Sequence, residues 1–262
     1  MILDEIIAKT YVRVKQLKTE VHLEDIKKEA LSLENNNEYL FEKVLRDKNI
    51  SYICEIKKAS PSKGYIVPED NFDEVKFAKE YENGGASAIS ILTEPYFFKG
   101  SNEYLYNVSQ NVNIPILRKD FIVDEYMIYE SKIIGANAIL LICSILDKET
   151  LKKYIDLAYF LGLSVLVEAH DENEIKIAIE SGARIIGVNN RNLKTFEVNF
   201  NNALNLRKKV PKDIIFVSES GIKTKEDIDL LKDNNVDAVL IGEFLMKSQN
   251  KAKMIKYLDG IG

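Results

Sequence analysis

Two opposite charges sit two residues apart at the end of the first strand-like run, Ser51-Tyr52-Ile53-Cys54-Glu55-Ile56-Lys57. Side chains on a strand alternate faces, so Glu55 and Lys57 point the same way, with Ile53 behind them. Tyr52, Cys54 and Ile56 take the other face, which suits packing under helices. Charges facing the inside of a sheet are costly unless they are paired, hydrated or reacting. The arrangement returns along the chain: Lys119 ends one apolar run, Glu168 another, Asn189 a third, and Ser220 follows a fourth. Taken singly, a strand-end lysine reads as a solvated boundary residue. Two lysines and two carboxylates brought to one place would shift each other's proton affinities, which suits general acid–base work.

A second group of residues has the makings of a phosphate site. Ser220-Gly221 follows the seventh strand candidate and Gly242 the eighth, with a helix expected to open at Glu243-Phe244-Leu245. Loops in those places, with bare backbone N–H groups at a helix start, form the common phosphate cradle of parallel barrels. Glycine lets a phosphate approach the main chain closely. The plainer reading of both glycines is two tight turns, and Glu243 should turn its carboxylate away from a dianion. The loop 58–65 is long and polar and could fold over a substrate. The stretch 92–100 is unusually aromatic. Phe98 and Phe121 suit the walls of a pocket for a flat ring, whereas Phe97 reads as core packing.

These side chains need elements to position them. Strand candidates fall at 51–57, 87–92, 115–119, 138–143, 163–168, 184–189, 213–218 and 236–241, with amphipathic helical patterns between them, as at 72–81 and 151–161. Glycine stands where helix C-caps want it, at 84–85, 135, 162 and 182. A weak repeat supports the count: Gly85-Ala86-Ser87-Ala88-Ile89, Gly135-Ala136-Asn137-Ala138-Ile139 and Gly182-Ala183-Arg184-Ile185-Ile186 each look like a helix stop followed by a strand start. Eight βα units in this length fit a closed (β/α)8 TIM barrel, an α/β fold. The rival is an open doubly wound sheet, which would carry a glycine-rich nucleotide loop after its first strand; none stands there. The first 50 residues read as two extra helices, the first with a stripe of Ile2, Ile6, Ile7 and Tyr11, placed to cover a barrel end or to touch substrate.

Bulk properties narrow the classes. The 262 residues, 46% hydrophobic, suffice for a full core, read here as a single domain with an N-terminal helical extension over 1–50 and the barrel over 51–262. Net charge is −5 with the signs interspersed, so no basic stripe marks a nucleic-acid partner. Cys54 and Cys143 read as buried reduced thiols. His170 and the cysteines make no zinc spacing, and no metal is expected. No apolar run reaches the roughly 20 residues of a membrane span, so the expectation is a cytoplasmic protein with no membrane partner.

The motifs together resemble the indole-3-glycerol phosphate synthase family of tryptophan biosynthesis. The resemblance runs over essentially the whole chain, from Ile2-Leu3-Asp4-Glu5-Ile6 through Glu55-Ile56-Lys57-Lys58-Ala59-Ser60-Pro61-Ser62-Lys63-Gly64, Ile91-Leu92-Thr93-Glu94 and Phe98-Lys99-Gly100-Ser101. It continues with Leu117-Arg118-Lys119-Asp120-Phe121, Val167-Glu168-Ala169-His170, Gly187-Val188-Asn189-Asn190-Arg191-Asn192-Leu193, Ser218-Glu219-Ser220-Gly221 and Leu240-Ile241-Gly242-Glu243. It implies a cofactor-free lyase that takes 1-(2-carboxyphenylamino)-1-deoxy-D-ribulose 5-phosphate to indole-3-glycerol phosphate, carbon dioxide and water. By family position Lys119 is the general acid and Glu168 a base or acid–base group. Lys57 binds the carboxylate or donates a proton, and Glu55 and Asn189 hold hydroxyls and orient Lys57. Glu219, Arg191 and Ser60 support the substrate carboxylate. Ser220, Gly221, Gly242 and the turn at Glu243 hold phosphate, and Phe98, Phe121, Leu140 and Pro61 press the aromatic ring forward. Ala59 stands where some members place a lysine, which makes Lys63 a substitute contact to phosphate. Other tryptophan-pathway enzymes are conceivable partners, although no isomerase or amidotransferase is fused here. Three rival readings stand beside it: a Schiff-base aldolase using Lys57 or Lys119, the pathway's isomerase with its cysteine–aspartate pair, and an idle barrel kept for binding.

Overall fold

The computed structural model describes residues 2–35, 38–47, 50–191 and 197–260. Ten strands occur in chain order: β1 (Ser51–Ile56), β2 (Ala59–Ser60), β3 (Gly64–Tyr65), β4 (Ala88–Leu92), β5 (Ile116–Lys119), β6 (Ala138–Ile142), β7 (Ser164–Ala169), β8 (Ile185–Asn189), β9 (Ile215–Glu219) and β10 (Ala238–Ile241). All except β2 and β3 join, each parallel to its neighbours, into a closed barrel that β10 seals against β1. Helices α4 (Glu74–Gly84), α5 (Asn102–Ser109), α6 (Glu125–Ile133), α7 (Lys148–Phe160), α8 (Glu172–Glu180), α9 (Asn201–Arg207), α10 (Lys225–Asp233), α11 (Glu243–Met246) and α12 (Lys251–Asp259) fill the connections, and α1 (Ile2–Glu20), α2 (Leu23–Ser32) and α3 (Leu40–Arg46) precede them. The TIM barrel expected from the repeat is the observed fold.

Parallel strands are buried on both faces and so read as continuous apolar runs. Alternation then sorts each run. Ile53, Leu117, Leu140, Leu166 and Leu240 fill the barrel interior, whereas Tyr52, Cys54 and Ile56 pack among the helices. The register inferred from Glu55 and Lys57 therefore holds. The predicted helix stops hold as well: Gly85, Gly135, Gly162 and Gly182 all have φ between 78° and 94°, a region costly for residues with a Cβ. Cys54 and Cys143 are buried thiols.

The N-terminal segment departs from expectation in two ways. It forms three helices, not two. The third is only seven residues long, too short to announce itself by periodicity, yet its Phe41 and Leu45 insert into the inner barrel cluster. Anchored by Ser51 Oγ donating to the Val44 carbonyl at 2.9 Å and Arg46 donating to the Asp213 carbonyl at 2.7 Å, α3 plugs the end where the strands begin. The buried stripe of α1 is Ile6, Thr10 and Val14, and Tyr11 is exposed. A threonine disguised that stripe in sequence; its hydroxyl is satisfied internally by the Ile6 carbonyl at 2.9 Å.

Helix α1 lies across the opposite end, the mouth where the strands finish. Arg13 Nη2 donates to both oxygens of Asp120, at 2.9 and 3.0 Å, and Lys18 Nζ donates to Asp124 at 2.6 Å. The polar loop after β1 folds back as the β2–β3 ribbon. The Ala59 amide donates to the Phe98 carbonyl at 3.2 Å, which ties this loop to the aromatic one.

Candidate active site

Strand β5 ends in Arg118 and Lys119, followed by Asp120, and alternation separates the three. Lys119 points into the mouth, where its Nζ lies 2.6 Å from Glu219 Oε2 and 3.2 Å from Glu168 Oε2. Burial alone would favour the neutral amine, but Glu219, Glu168 and Glu55 together outweigh it and hold Lys119 as an ammonium, above its ordinary affinity. Arg118 turns away and is satisfied by Thr93, Ser131, Glu130, Asn102 and the Met127 carbonyl. Asp120 is equally buried. It accepts from Thr93 Oγ1 at 2.7 Å and from the Phe121 amide at 2.8 Å as well as from Arg13. Burial pushes its carboxyl up, yet Arg13 and Arg118 prevail and leave it below the usual range.

The two carboxylates that share Lys119 are not equivalent. Burial pushes the carboxyl of Glu168 up, but Lys119 and His170 reverse this and keep it ionised. For Glu219, burial is joined by repulsion from Glu168 and Glu55, and Lys119 does not compensate, so its affinity is raised. Proximity to Lys119 favours Glu219; the second cation decides for Glu168. Among the described residues Glu219 Oε1 also has no hydrogen-bond partner. Titratable groups driven apart in this way mark a division of acid and base roles.

Lys57 Nζ donates to Glu55 Oε1, as the strand register requires. Two glycines make room for these carboxylates: a Cβ on Gly242 would collide with Glu55 Oε1, and one on Gly187 with Glu219 Oε1. Asn189 Nδ2 donates to Glu168 Oε1 at 3.4 Å, and Asn189 Oδ1 accepts from Ser220 Oγ at 2.9 Å and from the Arg191 amide at 3.0 Å. Ser220 and Gly221 both have positive φ, 67° and 87°, so the chain turns sharply just past β9. Glu243 accepts from Lys247 Nζ at 2.6 Å.

The rings of Phe98 and Phe121 stand 6.1 Å apart, tilted by 38°. Glu94, fully buried, holds the aromatic loop by accepting the amides of Tyr96, Phe97 and Phe98 at 2.7–2.9 Å. Phe97 is not core: it is half-buried, with Lys9 of α1 4.9 Å from its ring centre.

The chain matches the model of the indole-3-glycerol phosphate synthase family over residues 3–258. It is 56% identical to the indole-3-glycerol phosphate synthase of Ruminiclostridium cellulolyticum over 260 residues, 99% of each protein. It is 55% identical to that of Endomicrobium trichonymphae, over 98% of this chain and 99% of the relative. The chain belongs to the indole-3-glycerol phosphate synthase family. The family's activity is ring closure with decarboxylation and dehydration, a carbon–carbon lyase reaction of tryptophan biosynthesis. Among solved structures, 3-hexulose-6-phosphate synthase from Salmonella typhimurium superposes with a TM-score of 0.66 at 13% identity, over 81% of this chain and 98% of that one. A tryptophan synthase alpha-subunit mutant from Pyrococcus furiosus gives 0.61 at 15%, over 80% and 98%. These likenesses concern the barrel alone.

For this indole-3-glycerol phosphate synthase homologue, all of the site residues expected from sequence except Gly221 and Lys63 line one cavity of about 160 Å³ at the barrel mouth. Ser60, Pro61, Leu140 and Arg191 are among them, and Ile2, Leu3 and Ile6 of α1 close one side. Gly221 faces Val198 and Phe200 instead, because its left-handed backbone swings it behind Ser220. Lys63 is exposed and does not line the cavity. Asn192 and Leu193 lie outside the described residues. Sequence reasoning missed Arg13, Glu94, Gly187 and His170, which do not line the cavity but hold or make room for Asp120, Phe98, Glu219 and Glu168, which do. Gly187 and His170 had visible signals: a glycine inside an apolar strand, and a second polar residue two past Glu168, as in the Glu55–Lys57 pair.

Proposed function

We propose that the mouth cavity carries out the family reaction by acid–base chemistry shared among Lys119, Glu168 and Lys57. The ring carbon that bears the substrate carboxylate attacks the ketone of the opened sugar while Lys119 protonates the ketone oxygen. Departure of carbon dioxide returns its bonding pair to the ring. The new hydroxyl then leaves as water with a proton from Lys57, and Glu168 accepts the proton whose loss completes the indole. Lys119 carries the proton it is to give because three carboxylates keep it charged, and Glu168 stays available as a base because Lys119 and His170 keep it ionised.

Binding follows from the same walls. Ser220, Gly242 and the turn at Glu243 take the phosphate, with Gly221 shaping the turn behind them. Phe98, Phe121, Leu140 and Pro61 hold the aromatic ring over the ketone, an alignment on which ring closure depends steeply. Glu55 and Asn189 orient Lys57 and the hydroxyls, and Arg191, Glu219 and Ser60 support the carboxylate end. The helical extension over 1–50 and the barrel over 51–262 act as one domain, with α1 as part of the binding wall. The chain works as a cytoplasmic enzyme without cofactor; among the described residues no helix is long and apolar enough to cross a membrane.

The observation that carries this reading is the approach of Lys119 to Glu168, 3.2 Å, in the cavity that Phe98 and Phe121 also line. Incubation with the carboxyphenylamino deoxyribulose phosphate, followed by indole fluorescence, tests it. Turnover is expected without added metal or nucleotide, and trapping of a borohydride-stable adduct on Lys57 or Lys119 would overturn the acid–base assignment.

A further inference from the structure

His170 follows β7 by one position and lies two residues past Glu168, so both side chains leave the strand on the same side. Its Nε2 stands 3.3 Å from Glu168 Oε1 and its Nδ1 3.1 Å from Glu174 Oε2. Glu174 sits in the first turn of α8, where its backbone amide donates to the N-cap Asp171 at 2.9 Å and its carboxylate accepts the His170 amide at 2.7 Å. The imidazole is thus held from outside by a helix and aims its far nitrogen at the barrel mouth. That nitrogen is buried and makes no well-angled hydrogen bond; its contact with Glu168 is one of charge.

We propose that His170 is a positioning residue for the reaction, a cationic strut between Glu174 and Glu168 that fixes the orientation of the base and holds it as a carboxylate. The proposal rests on the assignment of Glu168 as base. Carboxylates on both sides keep the imidazole charged through neutral pH: burial opposes the charge, but Glu168 and Glu174 prevail and raise its affinity to about 10. The other groups facing this corner do not supply a competing cation. They are Asp171 at the α8 N-cap, the Cys143 thiol, pushed up to about 12 by burial and these carboxylates, and Asn202 of α9, which donates to the His170 carbonyl at 3.3 Å. Lys119 touches Glu168 through its other oxygen. The base is held at three points, by Lys119, His170 and Asn189.

Three proteins decide the matter: wild type, His170→Gln and Glu174→Gln, each assayed for kcat/KM across pH. Loss of the cation should raise the acidic limb, which reports ionisation of the base, by about one pH unit or more. kcat should fall about tenfold while KM holds. Glu174→Gln, which touches neither substrate nor Glu168, should move the same limb in the same direction by less. In the wild type, the His170 ring-proton resonance, assigned by its absence from His170→Gln, should remain that of an imidazolium at pH 8. An acidic limb unmoved in both variants, or a His170 ring that is neutral at pH 8, would overturn the strut. The NMR reading needs no variant that turns over. Full activity in Glu168→Gln would instead overturn the base assignment beneath it.

Discussion

Lys119 and Glu219, a hundred residues apart in the chain, meet at 2.6 Å inside the barrel mouth. Glu168 lies 3.2 Å from the same ammonium, so two buried carboxylates share one lysine, whose single charge does not neutralise both. Stability and catalysis are therefore coupled through one side chain.

Replacing Lys119 by Met removes both the proposed acid and the counter-ion. We expect kcat to fall by about 10²–10⁴ and stability at pH 8 to fall by roughly 3–5 kcal/mol. Without the lysine, both carboxyls bind protons more tightly folded than unfolded, so their contribution is recovered as pH falls. Thermal unfolding at pH 8 and pH 5.5 checks this. A loss of melting temperature equal at both pH values would contradict the shared-charge account.

Exchanging Glu168 for Gln keeps the shape and removes the proposed base. Steady-state kinetics should show kcat down by about 10³ with KM changed by less than about threefold, since phosphate and ring contacts remain. Product inhibition by indole-3-glycerol phosphate should be retained.

Gly187→Ala should push a methyl group into the Glu219 carboxylate. The expected cost is about 1–3 kcal/mol of stability, accompanied by a fall in kcat. Gly182→Ala is the control: nothing crowds its Cβ position, but its φ of 91° should cost about 1 kcal/mol with kcat unchanged. Denaturant melts and initial rates on both variants separate crowding of the site from backbone strain.

Arg13→Ala leaves Asp120 with Arg118 and Thr93 but removes one of the two ion pairs that tie α1 to the mouth, the other being Lys18 with Asp124. Stability should drop by about 1.5–3 kcal/mol. Because Ile2, Leu3 and Ile6 line the cavity, KM should rise more than kcat falls. An unchanged KM would place α1 outside the binding wall.

His170 also contributes to stability in a defined window. Its folded affinity lies near 10, above the roughly 6.5 of an unfolded histidine. The contribution is fully present below about pH 6.5 and is lost as pH rises through about 10. The wild type should therefore lose more stability between pH 7 and pH 10 than His170→Gln, in which this term is absent.

The reading of β1 shows how far sequence reasoning reaches. Period-two alternation assigned Glu55 and Lys57 inward and Cys54 outward, and those are their positions. The same rule applied past Glu168 would have delivered His170, had the residue been weighed as a partner as well as a metal ligand. No pattern announced Arg13 or Glu94. The partners of Arg13 come from a distant strand end, and Glu94 is satisfied by three backbone amides that carry no sequence identity.

The sequence by itself determined the barrel, the faces of its strands and the residue types gathered at their carboxyl ends, because alternation and helix stops are local properties of the chain. Only the tertiary structure decided which carboxylate stays ionised, since that depends on burial and on distances between Lys119, Glu168, Glu219 and His170. Those charges act through space across three strands and a helix, and their order in the chain carries no record of that separation.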